Sequence, residues 1–91
     1  MRKLAQDSAN IQWRRHAQER MVERDIADEM ATEVLRRGDL KGAIESGGEP
    51  DELKVKMVRQ IKGRGRDVGV VCVVVKGLRL RVITVEWEDV Q

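Results

Sequence analysis

The sequence predicts an α+β domain in which an N-terminal two-helix hairpin packs on a four-stranded, mainly antiparallel sheet, in the order ααββββ. A change in pattern at Gly38 predicts this arrangement. Before Gly38, apolar residues recur every three or four positions, as in an amphipathic helix, and after it they alternate with polar residues, as in a strand. The short connections favour a meander of strands with the hairpin across one face. The opposite face would be partly open, which makes it a natural place for a site.

The first helix is expected to begin near Asn10, with Ser8 as its cap. Its buried residues share a spacing of four positions: Trp13, Ala17 and Met21. Arg24-Asp25 is expected to end it, because Asp tolerates left-handed backbone better than most residues. The second helix is expected over 27–37, with acidic residues in its first turn and arginines in its last, as the helix dipole favours. Gly38 is predicted to follow as the left-handed C′ residue.

Four strands are expected at 40–45, 53–61, 68–75 and 78–87, the first of them at an edge and the third central. They are joined by a loop at 46–51, a basic glycine-rich turn at 62–67 and a tight turn at Lys76-Gly77. Arg59 falls on the same alternation as Val55 and Met57. Either it points inward and is paired or lines a cleft, or a bulge shifts the register and leaves it solvated.

The composition limits the classes of function. The 91 residues make one small domain, expected over 10–91 after a flexible N-terminus at 1–9. The net charge of +2 does not by itself indicate a nucleic-acid binder, and two Trp without Tyr or Phe argue against base-stacking platforms. The single Cys72 is predicted to be a buried, inert thiol. No run is long enough for a bilayer and no signal peptide is visible, so a cytoplasmic protein without a membrane partner is expected.

The segment 16–26 holds the only histidine of the chain and is the candidate site. On a helix, His16 and Arg20 lie about 40° apart and one turn from each other, and Arg24 continues the row. Metal-free RNA cleavage needs a proton acceptor, a proton donor and cations for the phosphorane charge. His16 can exchange protons near neutral pH, and the arginines can clamp phosphate. The alternative is that these side chains pair with carboxylates or backbone carbonyls and tie the hairpin to the sheet.

A second basic set lies on the predicted strands. Its members are arginines and lysines near strand ends: Lys62, Arg64, Arg66, Lys76, Arg79 and Arg81. They either form a phosphate-attracting surface or an ordinary solvated hairpin. Trp13 and Trp87 are predicted to be core or interface anchors rather than ligand platforms.

The spacing of the first helix also resembles a known family. The pattern Ile11…His16-Ala17…Arg20-Met21…Arg24…Ile26, a following helix that ends at Gly38, and a closing strand from Val82 to Trp87 resemble DUF4258, a bacterial domain family of unknown function. The resemblance spans residues 11 to 87. Such relatives commonly have a glycine where this chain has Asp25, and many carry a second histidine near residues 68–71, where this chain has none.

The resemblance implies a fold similar to the RelE/ParE-like toxins and related ribonucleases. It therefore implies a toxin-type, metal-independent ribonuclease of a bacterial toxin–antitoxin pair, without a cofactor, that acts on RNA or the ribosome and is neutralised by an antitoxin protein. His16 and Arg20 would be catalytic, and the substrate-binding residues would be Arg24, Arg59, Arg79 and Arg81. The alternative is a non-catalytic RNA- or protein-binding module of the same fold, so enzymatic activity stays open. A third possibility is a structural domain that forms a homodimer through a sheet edge, at 40–45 or 79–87.

Overall fold

A computed structural model describes residues 2–61, 65–75 and 79–88 of the chain. The helices are α1 (Arg2–Ala5), α2 (Arg15–Glu23) and α3 (Asp28–Arg37), with a 3₁₀ turn at Ser8–Asn10. The strands are β1 (Ile11–Trp13), β2 (Asp39–Leu40), β3 (Glu45–Ser46), β4 (Glu52–Ile61), β5 (Arg66–Val75) and β6 (Arg79–Trp87). The predicted α+β class is therefore confirmed, but the described sheet has six strands rather than four.

The sheet is mixed rather than wholly antiparallel. Its strand order is β1-β6-β5-β4-β2, and β3 also pairs with β4. Strands β4, β5 and β6 form the expected antiparallel meander, with one irregularity where β5 between Val71 and Cys72 meets β6. The turns predicted at Lys62, Gly63 and Arg64 and at Lys76 and Gly77, together with Leu78, lie outside the described residues.

Strand β1 replaces the predicted first turn of the first helix. Ile11 pairs with Leu80 and Trp13 with Val82, in parallel with β6, so the prediction of a helix from Asn10 is wrong. Apolar, polar and apolar residues in succession suit a strand with one buried face, and the outer edge of β6 supplies a partner. The Arg14 N–H then donates to the Val82 carbonyl at 3.3 Å, and α2 begins at the next residue.

The rest of the helical hairpin follows its predicted outline. Ala17 and Met21 are buried on α2, and Asp25 adopts the left-handed backbone with φ 56°. Helix α3 buries Ala31, Val34 and Leu35. Gly38 is not left-handed, so that part of the prediction is wrong: its φ of −75° and ψ of 176° are extended. Glycine is required there because a Cβ would overlap the carbonyl oxygen of Val34 in α3 and approach that of Val58 in β4.

The predicted edge strand at 40–45 is split in two. Leu40 of β2 pairs with Met57, and Glu45 of β3 pairs with Lys54, so both short strands lie along the outer edge of β4. Between them Gly42 has a φ of +78°, a conformation that suits glycine. The edge position is confirmed, and dimerisation through this edge stays a prediction.

The core lies between the two longer helices and one face of the sheet. Its largest fully buried side chains are Leu35, Leu80, Val34, Val68, Val70, Val82, Val85 and Cys72. Strands β4 and β5 keep an unbroken register in which Arg59 lies opposite Val68, so the bulge expected as one explanation for Arg59 is absent there. Ala5 is fully buried, although residues 1–9 were assigned to a flexible N-terminus; that domain boundary stays a prediction. None of the helices described is long and apolar enough to cross a membrane.

Candidate functional site

The exposed side of α2 carries a row of three polar side chains joined by hydrogen bonds. Arg20 Nε donates to His16 Nε2 at 3.3 Å, and Arg20 Nη1 donates to Glu23 Oε2 at 2.9 Å. The row forms because residues three and four apart on a helix are neighbours. The buried side of the same helix, at Ala17 and Met21, fixes it against the sheet. The structure therefore brings His16 and Arg20 together, as predicted, and adds Glu23.

These contacts define the chemical state of the row. An imidazole nitrogen that accepts a hydrogen bond has no proton, so His16 is neutral with its proton on Nδ1. The guanidinium of Arg20 is held between a neutral acceptor and a carboxylate, and its side chain remains 41% exposed. A basic nitrogen beside a fixed, accessible cation is an arrangement that can remove a proton near a phosphate and stabilise added negative charge.

Arg24 lies apart from this row and has a structural role. Its Nη1 donates to the Val85 carbonyl at 2.7 Å, and its own carbonyl accepts a hydrogen bond from Trp87 Nε1 at 2.7 Å. Arg24 therefore ties the end of α2 to β6, the alternative that sequence reasoning had left open for this trio. Trp87 is 5% exposed and is confirmed as a core anchor.

Arg59 points towards the C-terminal end of α3. Its Nε lies 3.5 Å from Glu33 Oε2, and its Nη1 donates to the Arg37 carbonyl at 3.4 Å. Nε is shielded from solvent and makes no hydrogen bond. The inward, paired alternative for Arg59 is the one observed, and the distances indicate weak pairing.

Arg79 and Arg81 lie on the sheet face opposite the helices. Arg79 is exposed at the start of β6, and Arg81 Nη1 lies 3.5 Å from Oε2 of the buried Glu52. Arg81 also lines a cleft with Gln12, Trp13 and Arg14, next to β1. Of the six predicted site residues, only His16 and Arg20 are in direct contact; Arg24 and Arg59 lie elsewhere. Arg66 belongs to neither group, because its guanidinium stacks 4.2 Å from the centre of the Trp87 ring.

A network of opposite charges covers part of the open sheet face. Lys56 pairs with Glu86 at 3.0 Å and with Glu88 at 2.7 Å, and Lys41 pairs with Glu88 at 2.9 Å. Gly69 makes room for it, since a Cβ there would lie 2.7 Å from Glu88 Oε2. These groups largely neutralise one another, so the face predicted as a natural site presents paired charges here.

The pairing in this network shifts two pKa values. Partial burial would raise the pKa of Glu88, but hydrogen bonds from Lys56 and Lys41 outweigh burial and lower it below its ordinary value. Burial would likewise lower the pKa of Lys56, but its bonds to Glu88 and Glu86 raise it. Elsewhere, burial raises the pKa of the Cys72 thiol to about 12, consistent with the predicted inert thiol.

Sequence reasoning missed three residues beside the predicted site. Glu23 completes the row on α2, and its spacing of three from Arg20 is the signal that would have identified it. Gln12 and Arg14 were read as helical, and only the parallel pairing of β1 places them beside Arg81. Among residues 2–61, 65–75 and 79–88, no three His, Cys, Asp or Glu side chains are grouped closely enough to hold a metal ion.

Comparisons with known proteins give one match. A sequence model of the family described as "Domain of unknown function (DUF4258)" matches residues 13–87, which is most of the chain. No curated protein and no solved structure matches significantly.

Proposed function

The chain belongs to the DUF4258 family, and from that premise we propose that it is a toxin-type, metal-independent ribonuclease of a bacterial toxin–antitoxin pair. The proposal includes a RelE-like relationship of the fold, in which the α2–α3 hairpin packs on the β4–β5–β6 meander. It also includes a cytoplasmic location and a separate antitoxin chain as partner. One observation carries the catalytic part: Arg20 joins the imidazole of His16 to Glu23 on an exposed helix face.

In this proposal His16 is the general base. Neutral Nε2 takes the proton from a ribose 2′-hydroxyl, the 2′-oxygen forms a bond to phosphorus, and the bond from phosphorus to the 5′-oxygen breaks. The leaving oxygen takes its proton from water. Arg20 turns from Nε2 to the phosphate and stabilises the phosphorane charge. Glu23 is a positioning residue, because it touches Arg20 and not the reacting atoms.

The test is cleavage of an end-labelled single-stranded RNA by purified protein. His16→Ala should lower the rate by about 10²–10⁴-fold, the usual contribution of general base catalysis. Arg15→Ala is the matched control, because Arg15 lies on the same helix in an exposed ion pair with Glu19 at 3.3 Å; it should change the rate less than about twofold. Equal rates for wild type and His16→Ala would refute His16 as the base.

Glu23 needs its own variants. Glu23→Ala should lower kcat, and Glu23→Gln should restore most of it, because an amide oxygen still accepts a hydrogen bond from Arg20. Expression in cells provides an independent readout, since growth arrest should depend on His16 and Arg20. Arrest that is unchanged in both variants would contradict the proposal.

A second candidate is a non-catalytic RNA-binding module. The observation that favours it is the cleft beside β1, which combines Arg14, Arg81, an amide and an indole. Salt-sensitive RNA binding by wild-type protein with no cleavage in the assay above would support this candidate over the ribonuclease.

A further inference from the structure

The cleft beside β1 lies at the end of the sheet. β1 pairs with β6 on one side, and no described strand pairs with its other side. The cleft has a volume of about 520 Å³ and is lined by Gln12, Trp13, Arg14 and Arg81. None of these contacts is part of the His16–Arg20–Glu23 row, so the cleft is a separate feature of the surface.

Trp13 forms a wall of this cleft and is fixed in place. It is half-buried and packs against the hydrophobic core, while β1 pairing sets its backbone opposite Val82. An indole that is held by the core on one part and exposed in a cleft on another is a preorganised stacking surface. Nucleobases stack on such surfaces with little dependence on sequence.

Arg14 supplies the charge of the cleft. Its side chain is exposed and has no hydrogen-bond or ion-pair partner within the part of the chain that the structure describes. Its neighbour Arg15 is paired with Glu19, and Arg81 is held by Glu52 at 3.5 Å. Arg14 is therefore the guanidinium of this group that is most available for a phosphate.

Gln12 adds hydrogen-bonding capacity at the same place. It lies opposite Arg81 in the β1–β6 pairing, and its exposed amide also has no partner among the described residues. An amide both donates and accepts, so it suits the Watson–Crick edge of an unpaired base. The four side chains thus offer a ring surface, a base-edge partner and a phosphate clamp.

The cleft is also close to the proposed catalytic row. Arg14 immediately precedes α2, and His16 is two residues further on, so their Cα atoms are within about 7 Å of each other. We propose that the cleft binds one nucleotide of single-stranded RNA, with its base on Trp13 and its phosphate at Arg14. The neighbouring phosphate would then reach His16, a step that rests on the proposed ribonuclease function.

Binding can be measured without cleavage. A fluorescein-labelled 2′-O-methyl oligonucleotide has no 2′-hydroxyl to attack phosphorus, so fluorescence anisotropy reports binding alone. Arg14→Ala should weaken binding by about five- to tenfold and reduce the slope of log K against log salt by about 1. Arg15→Ala, the matched control, should change affinity less than about twofold. Single-stranded probe should bind more tightly than the same sequence in a duplex, because the base must be unstacked.

Tryptophan emission tests the stacking surface directly. The probe should quench wild-type emission, and Trp13→Leu should abolish the quenching because the remaining Trp87 is buried. The same variant should weaken binding by about fivefold or more. If Trp13→Leu does not fold, Gln12→Ala takes its place, since its exposed amide supports no described contact; a loss of more than twofold is then expected.

The outcomes separate this inference from the ribonuclease. Equal losses for Arg14→Ala and Arg15→Ala, or duplex bound as tightly as single strand, would overturn the nucleotide subsite. If His16-dependent cleavage persists in that case, the ribonuclease stands without it. If wild type cleaves nothing but the Arg14–Arg15 contrast holds, the subsite stands and the ribonuclease is refuted. His16→Ala that binds the probe normally and fails to cleave RNA would support both.

Discussion

Arg24→Met should destabilise the fold, whereas Arg20→Met on the same helix should not. Strand β1 pairs with β6 only at residues 80–82, so the carbonyl of Val85 lies past the end of that pairing. Arg24 fills the gap with a hydrogen bond of 2.7 Å. Methionine keeps most of the aliphatic stem and removes the donor, so the carbonyl is left without its charged partner.

The expected magnitude follows from the nature of the bond. A hydrogen bond to a charged group contributes about 1.5–3 kcal/mol, and release of the partly buried guanidinium places the expected loss near the lower end, about 1.5–2 kcal/mol. For a domain of this size that lowers Tm by about 6–16 °C. Arg20 makes only exposed contacts with His16 and Glu23, so its replacement should cost less than about 0.5 kcal/mol.

Urea unfolding followed by far-UV circular dichroism measures this difference. The midpoint should fall for Arg24→Met at an unchanged m value, and stay near wild type for Arg20→Met. RNA cleavage should be lost in Arg20→Met although its midpoint is unchanged. Equal midpoints for the two variants would refute the structural role assigned to Arg24.

Three further predictions concern packing, pH and thiol reactivity. Gly38→Ala should cost more than about 2 kcal/mol in urea unfolding because its Cβ would overlap backbone atoms, whereas Gly48→Ala, where a Cβ finds no neighbour closer than 3.9 Å, should be nearly neutral. The lowered pKa of Glu88 means that its stabilising contribution is present above its unfolded pKa and is lost as pH falls through its folded pKa; Glu88→Gln should therefore be less stable at pH 7, and its deficit should narrow below about pH 4. Cys72, with its pKa raised to about 12, should react with a thiol reagent such as DTNB only after unfolding.

Each of these has a clear contrary result. A wild-type midpoint for Gly38→Ala would mean that α3 and β4 do not approach as closely as described. A constant deficit of Glu88→Gln between pH 7 and pH 3 would mean that its ion pairs do not stabilise the folded state. Reaction of native Cys72 at the rate of an exposed thiol would show that the interior of β5 is accessible.

The parts of the fold that sequence predicted are those whose pattern is local. The buried side of α2 and α3 and the alternation in β4 each follow from residues within one element. β1 could not be recognised in the same way, because Trp13 lies four residues before Ala17 and imitates a helical spacing. Its strand conformation depends on pairing with Val82, which is distant in the chain.

The candidate site divides along the same line. His16 and Arg20 could be placed together because one helix turn joins them. The role of Arg24 could not, because its acceptor is a backbone carbonyl on β6. The count of two tryptophans argued against base stacking, yet a count says nothing of position, and one of them, Trp13, lines a cleft.

The parallel pairing of β1 with β6 has a consequence during synthesis on the ribosome. About 70 residues separate Ile11 from Leu80, so β1 and the face of α2 that packs on β6 have no partner until the last strand has been made. Translation proceeds from the N-terminus, and a nascent chain shorter than β6 holds His16 and Arg20 on a helix with no sheet beneath it. Both the helix row and the cleft beside β1 can therefore mature only after synthesis of the chain is nearly complete.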